Sequence, residues 1–339
     1  LGRDAKSIKE QSICIIMKGM SYADAGVNID VEEKAVSNIL SAVGYKSDKV
    51  KLNGYKLVLC TDGVGSKVII ANEMQKWDTV GIDCMAMNVN DALCMGARPL
   101  AFVDYLAIEK TDPEMAEEIG KGLKKGADIA GIPIIGGETA TLPEIIRGFD
   151  LAGTCVGVVE HELPKKIVPG DVIIGLRSSG LHSNGYTLAR KVFTENGYSY
   201  HDTFPGIGGK IGDALLIPTQ IYVKEMLKLM ESVEVKGISH ITGSGLRKMK
   251  RMSHEVCFSI DEPFEPQKIF KVIKELGNIS DEEMYQTFNM GMGMAVVVDK
   301  KDVDEAISVL RKHSEAEVKV VGSVKEGEGV EVPSLGLKY

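Results

Sequence analysis

The stretch Leu57-Val58-Leu59-Cys60-Thr61-Asp62-Gly63-Val64-Gly65-Ser66-Lys67 decides how the chain is read. A short apolar run suits a buried strand, the glycines let backbone approach a ligand closely, and a carboxylate and an ammonium stand at its end. It reads as a phosphate and metal edge. The same pattern returns at Ile132–Ile135, an apolar strand followed by Gly136-Gly137-Glu138-Thr139-Ala140. Between the two, spacing predicts a helix from about Thr79 to Met95, a strand over Leu100–Ile108, and a helix opening at Thr111-Asp112-Pro113 and running to Ala130. Strand, helix, strand is the order of a wound α/β sheet. In the first of those helices, Asn90-Asp91 sit among Ile82, Met85, Ala86, Val89, Leu93 and Cys94. Polar groups there are costly unless they find partners or a metal, although a single buried Asn or Asp more often bonds backbone. Asp62, Asp91 and Glu138 could converge on one cation, since Mg²⁺ takes a few carboxylates together with waters and phosphates.

Upstream, Ser21–Asp30 is polar and glycine-broken, and Val31–Val43 carries helical spacing with Asp30 as a cap. Residues 1–20 read as an extension, foreign to the native chain or disordered. Their apolar patch, Ile13–Met17, follows acidic Asp4 and Glu10 and lacks a small-residue cleavage site, so a signal peptide is not expected. Downstream, Phe149–Glu160 is a long strand, and the proline-rich turn from Leu163 to Asp171 places a boundary between domains at 21–165 and 166–339.

The second domain opens with strand Val172–Leu176 and Arg177-Ser178-Ser179-Gly180-Leu181-His182-Ser183-Asn184-Gly185-Tyr186, then a helix over Thr187–Phe193. Hydroxyls and glycines between a strand and a helix leave amides free for an anion, and an N-cap without ligand explains them equally well. His182 could be an acid, a base, a phosphate donor or a satisfied polar side chain. A helix over Thr219–Met230 precedes a second glycine and hydroxyl turn, Ser239–Leu246, and a helix holding Lys248, Lys250 and Arg251. The Met-rich run 284–294 reads as packing at a turn, since no Cys or His interleaves it. Strand Ala295–Val298, helix Val303–His313 and strand Val318–Val321 close the chain.

With 339 residues, 44% hydrophobic and 26% charged, the composition is that of a soluble globular protein of two domains. No apolar run approaches the roughly 20 residues that cross a bilayer. A net charge of −8 without a basic face argues against nucleic acid and anionic membranes, leaving small molecules as partners. The six cysteines are scattered without C-x-x-C, as reduced thiols of a cytoplasmic protein would be.

Neither G-x-x-x-x-G-K-[ST] nor a helix-opening G-x-G-x-x-G occurs, so no P-loop or Rossmann site is expected. Nine segments in order do resemble one family: Ser21–Asp30 (SYADAGVNID), Thr61–Lys67 (TDGVGSK), Asn90-Asp91, Arg98-Pro99-Leu100, Asp104-Tyr105, Gly136–Ala140 (GGETA), Ser178–Tyr186 (SSGLHSNGY), His240–Leu246 (HITGSGL) and Thr287–Met294 (TFNMGMGM). Together they look like the phosphoribosylformylglycinamidine cyclo-ligases, also called aminoimidazole ribonucleotide synthetases. Departures are a short Ser41–Tyr55 segment where a glycine-rich loop is usual, Ser66 for Thr, Leu181 for Pro and Ser244 for a third glycine.

The resemblance implies two α/β domains with mixed sheets packed against helices, the N-terminal sheet forming an intersubunit barrel in a homodimer. It implies ATP-dependent ring closure with Mg²⁺. It implies Asp62, Asp91 and Glu138 as metal ligands, and Asp24, Gly26, Gly63, Gly65, Lys67, Ser178, Ser179, Ser183, Asn184 and Asn289 as ATP or phosphate contacts. His240, with His182 as competitor, becomes the candidate acid/base, and Lys67 a catalytic neutraliser of phosphate charge. Other members of the superfamily fit less well. A thiamine monophosphate kinase would usually carry Asp at Glu138 and an acid at His240, selenophosphate synthetase a reactive Cys in Ser21–Asp30, and the hydrogenase-maturation dehydratase a terminal Cys. A non-catalytic nucleotide-binding paralogue is the alternative of a different class, supported only by the short Ser41–Tyr55 segment.

Overall fold

The computed structural model describes residues 19–45 and 47–339. The Ile13–Met17 patch, Cys14 and residues 1–18 of the expected extension lie outside the described residues. Helix α1 (Ile29–Ala42) is capped by Asn28, whose side chain accepts the Val31 N–H, rather than by Asp30, which falls in its first turn. The segment after it is a hairpin and not a plain loop. Strands β1 (Lys49–Leu52) and β2 (Tyr55–Gly63) join through Asn53-Gly54, both at positive φ, the conformation of a tight two-residue hairpin turn. Then follow α2 (Lys67–Met74), α3 (Val80–Cys94), β3 (Ala97–Ile108), α4 (Pro113–Ala130), β4 (Ile134–Thr141) and β5 (Phe149–Val159). Asp112 caps α4 through its carboxylate, with Pro113 in the first turn, where a missing N–H costs nothing.

The five strands lie in the order β1-β2-β5-β3-β4, antiparallel except for the parallel β3–β4 pair. Val58, Phe102, Leu106 and Cys155 from the sheet are buried in one core with α3 and α4. Alternation puts Leu59, Val103 and Tyr105 on the other face, where they stand 37–62% exposed. Helix α3 is buried along nearly its whole length. It meets α4 closely: a Cβ at Gly81 would lie 2.2 Å from Leu123 N, and one at Gly122 would lie 2.3 Å from Asp78 O.

The second half contributes β6 (Val172–Arg177), α5 (Tyr186–Glu195), α6 (Ile211–Leu215), α7 (Val223–Ser232), β7 (Val235–His240), a 3₁₀ turn over Gly245–Arg251, β8 (Cys257–Ser259), α8 (Lys268–Leu276), α9 (Asp281–Thr287), β9 (Met292–Val298), α10 (Val303–His313), β10 (Val318–Lys325), β11 (Gly329–Val332) and β12 (Leu337–Lys338). Its sheet runs β12-β11-β8-β10-β6-β9-β7. The expected helix over 219–230 begins only at Val223. Residues 217–222 are instead an irregular strap whose backbone serves groups from the first sheet's helices. Met284, Met290, Met292 and Met294 are buried, as packing residues are. Among the described residues no helix is long and apolar enough to cross a membrane.

Candidate active site

Helix α3 carries the polar groups that join the two halves, and they fall at its two ends. Near its start Asp83 accepts the Thr219 N–H (2.7 Å) and Oγ–H (2.6 Å) and pairs with Lys67 at 2.8 Å. Lys67 also donates to the carbonyls of Ile217 and His182. Both side chains of this pair are fully buried. The expectation that Lys67 meets phosphate is therefore corrected: its ammonium is enclosed and committed to protein oxygens, and it lines none of the cavities described below.

One turn before the end of α3, Asn90 donates to Gln220 O and accepts from Tyr222 N, which is the partner its burial demanded. Next to it, Asp91 Oδ1 lies 2.9 Å from His240 Nδ1 and 3.6 Å from Lys248 Nζ. Burial alone would raise the pKa of Asp91, but Lys248 and His240 outweigh it and hold the carboxyl well below the usual range. Burial lowers the pKa of His240 against the pull of Asp91, so the ring is neutral with its proton on Nδ1. Its Nε2 then faces the Asn90 amide at 3.4 Å with its lone pair.

Asp91, His240 and Lys248 line a cavity of about 390 Å³ together with Cys60, Thr61, Asp62, Arg251, Tyr45 and Asp48. A second cavity, of about 250 Å³, is walled by Gly63, Gly65, Ser66, Ser183, Asn184, Gly185 and Thr187, with Tyr22, Val27 and Glu32 from the N-terminal segment. Asp62 and Met87 line both. The surface of Asp62 is open to these cavities, yet the surrounding protein, and Asp91 nearby, push its pKa up. Gly185 ends the 178–185 turn at φ 75°, and a Cβ there would lie 2.3 Å from the Phe288 ring, so only glycine lets the turn close over α5.

The expected phosphate residues divide. Gly63, Gly65, Ser183 and Asn184 face the smaller cavity. Ser178 donates to Asn289, whose amide donates to Gly180 O, and Ser179 Oγ donates to Pro218 O; these three brace the turn from behind. Asp24 accepts from Ser21 in its own turn and lines a separate cavity with Lys191, while Gly26 lines none of them. His182, at φ 64°, is fully buried and accepts the Ser179 N–H at Nε2. Burial, with His240 and Lys67 nearby, holds its pKa well below the usual range. Its ring lies 6.4 Å from that of His240 but reaches neither cavity, so a direct catalytic role is corrected to one of bracing.

The carboxylate trio is corrected too. Gly63, Ala152, Tyr105 and Glu138 form one row across the sheet, and Asp62, Gly153, Asp104 and Gly137 the next. Adjacent rows face opposite sides, so Glu138 lies on the outer face and three strand spacings from β2, about 14 Å. Its Oε1 accepts its neighbour's Thr139 N–H. Asp62 and Asp91 remain together, and among the described residues no group of three acidic, His or Cys side chains could hold a metal.

Sequence reasoning passed over Lys248, Arg251 and Thr242 as site residues. The signal was the basic cluster directly after the His240–Leu246 turn, which folds those charges back beneath His240. Lys248 donates to Thr242 Oγ1 at 2.7 Å. The thiols of Cys60 and Cys94, pushed up to about 12 first by burial and then by Asp91, are protonated and unreactive walls.

Two family models match the chain in order: the AIR synthase related protein N-terminal domain over residues 44–159 and the corresponding C-terminal domain over 168–333. Phosphoribosylformylglycinamidine cyclo-ligase of Methanosarcina mazei is 49% identical over 94% of this chain and 98% of its own length. That of Methanocaldococcus jannaschii is 47% identical over 90% and 92%. In fold, the chain is similar to thiamine monophosphate kinase of Aquifex aeolicus, with TM-score 0.64 at 17% identity over 92% of this chain and 99% of that one. By identity and coverage across both halves, the chain belongs to the phosphoribosylformylglycinamidine cyclo-ligase family.

Proposed function

We propose that the two cavities hold the two substrates of ATP-dependent closure of formylglycinamidine ribonucleotide to aminoimidazole ribonucleotide, a step of purine biosynthesis. The observation that carries this assignment is that Asp62 lines both cavities, at the wall a phosphoryl group crosses. ATP phosphates occupy the glycine and hydroxyl cavity, where the amides of Ser183–Gly185 and the N-terminus of α5 favour negative charge. The ribonucleotide occupies the larger cavity with its phosphate toward Lys248 and Arg251.

The formyl oxygen attacks the γ-phosphorus and ADP leaves, giving an iminophosphate. The amidine nitrogen then attacks the formyl carbon, the carbon–oxygen bond breaks and phosphate departs. The Asp91–His240 pair receives the proton released on ring closure at the exposed carboxylate of Asp91, since His240 Nε2 is turned to the buried Asn90 amide. The residues otherwise position and stabilise charge, as phosphoryl transfer requires. Asp62 and Asp91 fit Mg²⁺: two carboxylates face one cavity, and burial together with the charge of Asp91 pushes up the pKa of Asp62, a penalty that a cation relieves. Bound there, Mg²⁺ would neutralise phosphate charge. Glu138 belongs to the outer sheet face.

That face, with Leu59, Val103 and Tyr105 exposed, supports a homodimer in which two such sheets meet in the barrel that the family implies. Free cysteines support a reducing, cytoplasmic setting. One sheet on each side of the 160–171 turn supports domain ranges of 21–165 and 166–339. The test is to incubate purified protein with ATP, Mg²⁺ and formylglycinamidine ribonucleotide and assay the imidazole product. Absence of turnover by folded, dimeric protein overturns the proposal.

A further inference from the structure

Behind the strap of residues 217–222, on the side away from both cavities, a cleft of about 520 Å³ lies between α3 and α4 of the first half and α7 and α10 of the second. Its volume is that of a small-molecule site. Ile82, Ile129, Ile217, Pro218 and Ile221 supply apolar surface, and Ile129 and Ile217 stand 47% and 42% exposed. Lys125, Lys224 and Lys312, one from each of three helices, line the same cleft. None of the three has an ion pair or hydrogen bond among the described residues, in a chain whose net charge is −8. Two carboxylates also line it: Glu225, largely buried and accepting from Ser314 Oγ, and Glu315.

The strap is fixed from behind. Ile217 O holds Lys67, Pro218 O accepts from Ser179, Thr219 donates to Asp83, and Gln220 O accepts from Asn90. A wall fixed by four hydrogen bonds to other elements is organised before any ligand arrives, which lowers the ordering cost of binding. Three unpaired ammonium groups over an apolar floor match an anion that carries a flat or apolar body.

We propose that this cleft is a second ligand site, distinct from the two substrate cavities, for an organic phosphate of nucleoside monophosphate size, its phosphate among Lys125, Lys224 and Lys312 and its body on Ile129, Ile217 and Ile221.

The test blocks the ATP cavity with saturating non-hydrolysable ATP analogue and Mg²⁺, then titrates AMP calorimetrically, with inorganic phosphate as a parallel probe. One further equivalent of AMP binds, and phosphate alone binds at least about tenfold more weakly because it forgoes the apolar floor. A K125E/K224E/K312E variant loses AMP binding by about tenfold or more while its affinity for the ATP analogue and its turnover stay at the parent level, which also shows that it is folded. Absence of AMP binding to the blocked enzyme at millimolar concentration overturns the proposal. So does AMP binding that survives the triple charge reversal. Loss of turnover by the variant calls for the exposed single substitution K312E, which must weaken AMP binding for the proposal to stand. Neither result bears on the ring-closure reading, which is tested in the absence of AMP.

Discussion

Helix α3 presents two acidic groups about two turns, or 12 Å, apart, and each reaches across to the second half of the molecule. Asp83 ends in a sealed pair with Lys67, both side chains fully buried and the site completed by Thr219 and two carbonyls. Asp91 ends in a pair with His240 that opens on a cavity, keeps Lys248 beside it and has 31% of its side chain exposed. The chemistry of the two pairs is similar, but their access differs. A buried pair with every partner inside the protein can only hold domains together, whereas one with a face on solvent can exchange protons and meet ligands. The difference separates structure from function on a single helix.

The largest effects should test the contrast itself. Replacing His240 with Ala should lower kcat by about 10²–10⁴-fold, the usual worth of a positioned proton-accepting group, while the void left by its fully buried ring costs on the order of 1–3 kcal/mol in stability. Lys67→Met should do the reverse. It leaves Asp83 charged and unpaired, a loss on the order of 3–5 kcal/mol in denaturant unfolding, with kcat per folded molecule retained. If Lys67→Met keeps full stability but loses turnover, the sealed end is not sealed in solution and the comparison fails.

Asp62→Asn sharpens it further. Because the protein around Asp62 pushes its pKa up, the ionised side chain weakens the fold above that pKa, and an amide of the same shape removes the penalty. Turnover should fall by about 10²–10³-fold while the melting temperature holds or rises. Lys248→Met should come next. The KM for formylglycinamidine ribonucleotide should rise by about tenfold with kcat changed less, as loss of binding common to ground and transition states requires. A tenfold rise in the KM for ATP instead would exchange the contents of the two cavities.

Much of this contrast could be read from the chain, and the unread part has a common cause. Apolar period and glycine turns located β2, α3, α4 and the 178–186 turn, because those signals are local. Asn90-Asp91 announced itself as a polar break in a buried helix. What stayed hidden was the direction of each side chain. Lys67 follows a glycine turn as a phosphate-binding lysine would, yet its partner Asp83 lies in the next helix and their pairing exists only once α2 and α3 pack. Glu138 repeats the pattern of Asp62, but the two strands differ by one in row, and a one-residue difference in a strand turns a side chain to the opposite face. The strap at 217–222 defeated helical expectation because its backbone bonds to α3 and not to itself.

The smallest expected effect concerns His182, which lies between the two ends. Its ring is 6.4 Å from His240, it gives its carbonyl to Lys67, and it accepts from Ser179 N, so it belongs to both regions by position. By access it belongs with the sealed pair. The residue adopts φ 64°, which Asn tolerates better than most, so His182→Asn removes the imidazole while sparing the backbone. The void left by a smaller side chain should cost on the order of 1–3 kcal/mol in stability, and kcat should change by less than about tenfold, because no proton passes through a ring that reaches neither cavity. Stopped-flow measurement of product formation, beside a denaturant melt, checks both. If His182→Asn loses more turnover than His240→Ala, the proton acceptor is His182, and the line between sealed and open ends must be redrawn one residue deeper into the protein.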